Sequence, residues 1–89
     1  MRFAVICRDK PGHLPVRMEN RPAHVAYLKE TGVEQAGPFL NAAGEMCGSL
    51  VIVDVADRAA AEAWAAGDPY GQAGLFEDVR IEAWNRVIG

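Results

Sequence analysis

The chain has 89 residues, of which 51% are hydrophobic and 24% are charged, and its net charge is −3. A chain of this length builds one hydrophobic core, so we expect a single domain over residues 1–89, and this composition excludes intrinsic disorder. No apolar run approaches the roughly 20 residues that span a bilayer, and charged residues follow the first apolar run too soon for a secretory leader, so we expect a cytoplasmic protein with no membrane partner.

The first predicted element is a strand. Residues 2–8 are rich in β-branched and aromatic side chains, and the turn-forming residues 9–12 follow them. We expect residues 9–20 to form a loop.

A helix is predicted over residues 21–31. Asn20 is a good N-cap, Pro22 is tolerated in a first helical turn, and Gly32 stands where a helix-ending glycine belongs. Helical spacing places one set of side chains on a common face: His24, Tyr27, Leu28 and Thr31.

The middle of the chain predicts a hairpin and a second helix. Residues 33–40 and 46–55 are strand candidates, and a turn at residues 41–44 joins them. Asp57 is expected to cap a helix that ends at Gly67.

The next segment predicts a short helix or turn and a last strand. Asp68 stands in the N-cap position and Pro69 in the first helical position. Residues 79–87 alternate between apolar and polar side chains, which predicts a strand with one apolar face.

The resulting order βαββαβ predicts a ferredoxin-like α+β fold, with a four-stranded antiparallel sheet and both helices on one face. No further segment of the chain is left to cover the other face, on which Trp84 should lie. We therefore expect a homodimer in which a second copy packs sheet to sheet.

The two cysteines and the charges restrict the chemistry. Cys7 and Cys47 lie in apolar stretches and are expected to be reduced and buried, with a disulfide as the alternative. No spacing of His and Cys suits a zinc site and no glycine-rich loop suits a nucleotide, so we expect no metal and no cofactor.

Charge is divided unevenly along the chain. Residues 1–32 carry six Lys and Arg against three acidic residues, and residues 33–89 carry three against nine. The basic part is too sparse and too poor in aromatic residues for a nucleic-acid surface. A local site for a small anionic molecule is the better interpretation.

Four short motifs carry a family resemblance. They are R-x-x-H-x-x-Y-L at residues 21–28, Gly-Pro at 37–38, Gly-Ser at 48–49 and Asp-Pro-Tyr at 68–70. Each is common alone, but together, in this order and at these separations, they resemble the YCII-related (YciI-like) family over nearly the whole chain.

The resemblance implies a dimeric α/β-barrel architecture related to muconolactone isomerases, with an active site formed by a histidine and an aspartate that match His24 and Asp68. It also implies lactone-isomerising or dehydrochlorinating activity for some members. Glu34 and Gln35 depart from the aliphatic residues expected in the second strand.

His24 and Asp68 suit proton transfer. Histidine both accepts and donates protons near neutral pH, and an aspartate on its far nitrogen would fix the tautomer. The alternatives are that His24 is a structural residue on the helix face and that Asp68 only caps a helix.

Two further residues are candidates for substrate binding. Arg21 lies one turn before His24 and could bind a substrate carboxylate, and Tyr70 could reach the same pocket beside Asp68. His13 and Arg17 could line the pocket too, but a solvated loop is the default expectation for both.

Two hypotheses for function follow. The first is a cofactor-free enzyme that transfers a proton on a small anionic substrate such as a lactone, an enol or a halogenated phenol. The second is a non-catalytic dimer that binds a small ligand or a partner. A serine nucleophile is not expected, since Ser49 lies in a predicted strand without a nucleophile elbow.

Overall fold

The computed structural model describes residues 1–89 and contains four strands and three helices. In chain order the elements are β1 (Arg2–Asp9), α1 (Leu14–Thr31), β2 (Gln35–Leu40), β3 (Met46–Asp54), α2 (Arg58–Gly67), α3 (Pro69–Gln72) and β4 (Phe76–Ala83). No helix combines the length and the hydropathy that a membrane span requires.

The strands form one antiparallel sheet in the order β2-β3-β1-β4. With the two longer helices, this is the predicted ferredoxin-like fold, and the predicted β2–β3 hairpin is confirmed. Alternate residues of β1, β3 and β4 face the helices, because successive side chains of a strand point to opposite faces. With two residues of α2 they form the core: Phe3, Val5, Cys7, Val51, Val53, Ala61, Trp64 and Ile81.

The predicted start of the first helix is wrong. The helix α1 begins at Leu14, and the expected cap, Asn20, lies inside it and donates its side-chain amide to the Val16 carbonyl at 2.8 Å. Pro22 also lies inside α1, which continues through it. The predicted end is right, because Gly32 has the left-handed φ of 66° that favours glycine after a helix.

The last strand also differs from its predicted bounds. The strand β4 covers Phe76–Ala83 rather than residues 79–87, and one more backbone bond joins the Trp84 N–H to the Arg2 carbonyl at 3.0 Å. Beyond it, Arg86 pairs with Glu34 at 3.3 Å. Since Glu34 precedes β2, at the opposite edge of the sheet, the chain after β4 leaves the ladder and crosses its end.

The two longer helices are tied to each other through Trp64 of α2. Tyr27 donates its hydroxyl to the Trp64 carbonyl at 2.6 Å, and the indole Nε1 donates to the Thr31 hydroxyl at 2.9 Å. Asp57 caps α2 as predicted, accepting from the Ala60 N–H at 2.9 Å.

Both cysteines are free thiols, but only one is buried. Cys7 faces the core, and burial, with a smaller effect of the Asp68 charge, raises the pKa of its thiol to about 12. Cys47 is half-buried, so the expectation of two buried thiols is right for Cys7 alone.

Candidate active site

A histidine and an aspartate meet beneath α1. His24 is buried on the inner face of α1, and its Nδ1 donates to Asp68 Oδ1 at 2.7 Å. Because a carboxylate only accepts hydrogen bonds, Nδ1 carries the hydrogen and the ring presents Nε2 as its free nitrogen. No group of the chain bonds Nε2, so this nitrogen is available for proton transfer.

Asp68 is held in place by the start of α3. Its Oδ1 also accepts from the Tyr70 N–H at 3.0 Å, so the carboxylate caps α3 while it binds the imidazole. Pro69 occupies the first turn, where its missing N–H costs nothing. The side chain of Asp68 is therefore fixed before any ligand arrives.

An aromatic ring lies against the histidine. The Tyr70 ring stacks on the His24 imidazole with centroids 3.8 Å apart and planes 14° from parallel. The Arg17 guanidinium carbon lies 4.6 Å from the centroid of the same ring, and it must use the opposite face because the imidazole covers the first. Burial raises the pKa of the Tyr70 hydroxyl, and the charges of Arg17 and Arg21 oppose that rise.

Arg17 is anchored by two strands. Its Nε and Nη2 donate to the two carboxylate oxygens of Asp9 at 2.7 and 2.9 Å, and Nη2 also donates to the Ser49 hydroxyl at 2.8 Å. The side chain of Asp9 is only 6% exposed and that of Arg17 is 2% exposed. The hydrogen bonds to Asp9 help raise the pKa of Arg17 despite its burial, so the guanidinium is charged at every physiological pH.

These side chains border a cavity of about 150 Å³ between α1 and the β2–β3 hairpin. Arg21 stands at the cavity with no ion-pair partner in the chain, and Gly37 and Pro38 of β2 form part of the opposite wall. The lining contains two arginines and no acidic side chain, because Asp68 lies behind His24. A cavity with this charge favours an anionic ligand.

All four residues proposed from the sequence lie together. His24, Tyr70 and Arg21 line the cavity, and Asp68 supports His24. His13 lies elsewhere, in a groove near Cys47, where its Nδ1 donates to the Pro11 carbonyl at 2.9 Å.

Asp9 and Ser49 were not predicted at the site, and Arg17 was considered there only as an alternative. Arg17 was expected in a solvated loop because α1 was predicted to begin seven residues too late. The signal was present, since residues 17, 21, 24 and 28 have the spacing of one helix face.

Comparison with known proteins gives consistent family matches. A model of the YCII-related domain matches residues 1–85. Protein YciI of Escherichia coli O6:H1 is 36% identical over 99 aligned positions, which cover 99% of this chain and 100% of that protein. An uncharacterized protein of Haemophilus influenzae is 33% identical over 98 positions, with 99% and 100% coverage.

Solved structures agree with the fold. The 5-chloro-2-hydroxyhydroquinone dehydrochlorinase (TftG) of Burkholderia phenoliruptrix, in complex with 2,5-dihydroxybenzoquinone, has a TM-score of 0.90 at 33% identity and covers 96% of this chain and 94% of its own. An antibiotic biosynthesis monooxygenase has a TM-score of 0.60 at 13% identity, covers 98% of both chains and is similar in fold alone.

Proposed function

This chain belongs to the YCII-related family, and we propose that it is a cofactor-free enzyme that transfers a proton on a small anionic substrate, in a lactone isomerase-like or dehydrochlorinase-like reaction. His24 is the proton-transferring residue and Asp68 holds it in position. Arg21 binds the negative charge of the substrate and Tyr70 packs beside the substrate in the cavity. The ligand class agrees with the small hydroxylated ring bound by the structural relative.

One observation carries the proposal: an imidazole whose Nδ1 is bound to a fixed carboxylate while its Nε2 is free beside a cationic cavity. Asp68 stabilises the imidazolium that forms when Nε2 takes a proton, and such general acid–base action accelerates reactions by about 10²–10⁴-fold. A histidine that served only to hold the helix in place would need no free nitrogen at a cavity.

Dehydrochlorination of a chlorinated hydroquinone fits these groups without an oxidant. His24 Nε2 takes a hydroxyl proton and delivers it to the ring carbon that bears chlorine, which gives the keto form. Loss of a second hydroxyl proton then expels chloride with the electron pair of its bond to carbon. The products are a quinone, chloride and one proton, so atoms and electrons balance.

The homodimer is part of the same proposal. The sheet face away from the helices carries Ile6, Leu50 and Ile52, and at its β4 edge Arg80 lies beside Glu82. A twofold axis through this face would place apolar residues against apolar residues and let each Arg80 meet an acidic side chain of the other copy.

Turnover of 5-chloro-2-hydroxyhydroquinone, followed by chloride release, and of a panel of small lactones tests the proposal. His24→Gln should lower kcat by about 10²–10⁴-fold, Asp68→Asn should lower it by a smaller factor, and Arg21→Gln should mainly raise KM. His13→Gln is the matched control and should leave both constants unchanged. Tight binding of 2,5-dihydroxybenzoquinone without turnover of any substrate would instead favour the non-catalytic ligand-binding dimer.

A further inference from the structure

Arg17 has hydrogen-bond donors that the protein does not use. A guanidinium carries five N–H groups. Asp9 and Ser49 accept three of them, one from Nε and two from Nη2. Neither Asp9 nor Ser49 uses the two hydrogens of Nη1, and this nitrogen is not fully enclosed, because no enclosed side-chain nitrogen of the chain lacks a partner.

The unused edge belongs to the cavity. Tyr70 covers one face of the guanidinium and Asp9 takes its Nε–Nη2 edge, while Arg17 lines the cavity. The Tyr70 hydroxyl lies close to the guanidinium, and the charge and hydrogen bonding of Arg17 oppose the rise in the pKa of that hydroxyl. An anionic acceptor of a ligand at Nη1 would form a charge-assisted hydrogen bond, which is shorter and stronger than a bond between neutral groups.

Ser49 adds a second donor at the same place. Its oxygen accepts from Arg17 Nη2, so its own hydrogen is free to donate. The hydroxyl also lines the cavity. Arg17 and Ser49 together present three N–H and O–H donors toward one acceptor group.

We infer that Arg17 and Ser49 form a fixed anion-binding subsite, which takes a carboxylate, enolate or phenolate on a ligand of about one ring. The inference deepens the proposed function and rests on the same cavity. A volume of about 150 Å³ suits one ring. The Tyr70 ring lies between the Arg17 guanidinium and the His24 imidazole, so the anionic group and the reacting atom belong to different parts of the ligand.

The two arginines then differ in role. Arg17 is immobilised by Asp9 and fixes the orientation of the ligand, whereas Arg21 is exposed, is unpaired and attracts the ligand to the cavity. Removing Arg21 should weaken binding in a salt-dependent way, while removing Arg17 should remove most of the preference for an anion and leave only the part that Arg21 supplies.

Binding of benzoate and of its neutral analogue benzamide tests this subsite without turnover. Benzoate should shift the side-chain ¹⁵N signals of Arg17, and it should bind at least about tenfold more tightly than benzamide. The double variant Asp9→Asn/Arg17→Gln avoids leaving a buried charge unpaired, and it should lose most of that preference. Ser49→Ala keeps the Asp9–Arg17 pair and should reduce the preference in part, so the test survives if the double variant does not fold.

Lys29→Gln, which removes an exposed charge from the same helix, is the control and should keep the preference. Equal binding of the two probes to the wild-type protein, or a preference that persists undiminished in the folded double variant and in Ser49→Ala, would overturn the subsite. Neither result depends on turnover, so failure of the subsite and failure of the proposed catalysis are distinguishable.

Discussion

One oxygen atom of Asp68 accepts two hydrogen bonds that serve different purposes. Its Oδ1 accepts from the backbone of Tyr70, which begins α3, and from the imidazole of His24, which belongs to α1. Asp57 performs only the first task, because its side chain accepts from Ala60 at the start of α2 and contacts no histidine. Comparing variants at the two positions therefore separates the free energy of unfolding lost with a helix cap from that lost with the hydrogen-bond partner of the buried imidazole.

Replacement of each aspartate by alanine should show this difference. Asp57→Ala should lower the free energy of unfolding by about 1 kcal/mol, the usual cost of a lost cap. Asp68→Ala should cost about 2–4 kcal/mol, because the Nδ1–H of His24 is then buried without an acceptor. Asp68→Asn keeps an acceptor oxygen and should fall near the lower value. Urea unfolding of the three variants measures these energies, and equal losses for the two alanine variants would contradict the double role of Asp68.

Short-range signals made part of the candidate site predictable. His24, Asp68 and Tyr70 belong to motifs in which a cap, a proline and a helix face are visible in the sequence itself. The Asp9–Arg17–Ser49 network is different, because it joins β1, α1 and β3 through side chains 8 and 32 positions apart. No local pattern encodes such a contact, and a buried arginine cannot be distinguished from a solvated one until its partner is placed.

The helix α1 begins earlier than the local sequence preference predicts. A proline removes one helical hydrogen bond and crowds the preceding turn, so the sequence favours a helix that starts near Pro22. The structure instead continues the helix from Leu14, since Arg17 in its first half and His24 in its second are both fixed by buried partners. Tertiary contacts thus override the local cost, and the fold class stays predictable because it depends on the order of the elements rather than on their ends.

The pairing of β3 with β1 depends on a glycine. Gly48 lies opposite Arg8, and a methyl group added to its Cα would overlap the carbonyl oxygen of Cys7 and come within 3.1 Å of the Phe39 ring. Gly37 in β2 pairs with Leu50, has an ordinary negative φ and has no atom within 4 Å of an added methyl group. The two glycines provide a matched pair within one hairpin.

Gly48→Ala should therefore destabilise the protein by about 1–3 kcal/mol, because the backbone of β1 must move to relieve the overlap. Gly37→Ala should be neutral or slightly stabilising, since alanine loses less conformational freedom than glycine on folding. Thermal unfolding of both variants gives the comparison. Equal melting temperatures would mean that β1 accommodates the methyl group freely, which the close approach to Cys7 does not allow.

The two faces of the sheet have different surroundings. The helices cover one face and the core lies there. On the other face, neighbouring side chains shield Ala4 and Ile52, but Leu50 is 36% exposed. Trp84 follows β4 and lies on the same face, because alternate residues of a strand share a face, and it is 40% exposed. An apolar sheet face of this kind is typical of an interface between subunits.

The proposed homodimer can be tested on the open face of the sheet. Leu50→Glu places a charge at the centre of the open face and should convert the dimer to a monomer, because a buried glutamate without a partner costs several kcal/mol at each of two symmetric positions. Met18→Glu, at a residue of α1 that is 52% exposed, makes the same chemical change on the helical side and should leave the dimer intact. Light scattering coupled to size-exclusion chromatography at micromolar concentration measures the mass directly. A monomeric wild-type protein would refute the dimer, and a dimeric Leu50→Glu variant would exclude this face as its interface. Circular dichroism of each variant separates dissociation from unfolding, since a dissociated but folded Leu50→Glu protein keeps its helical signal.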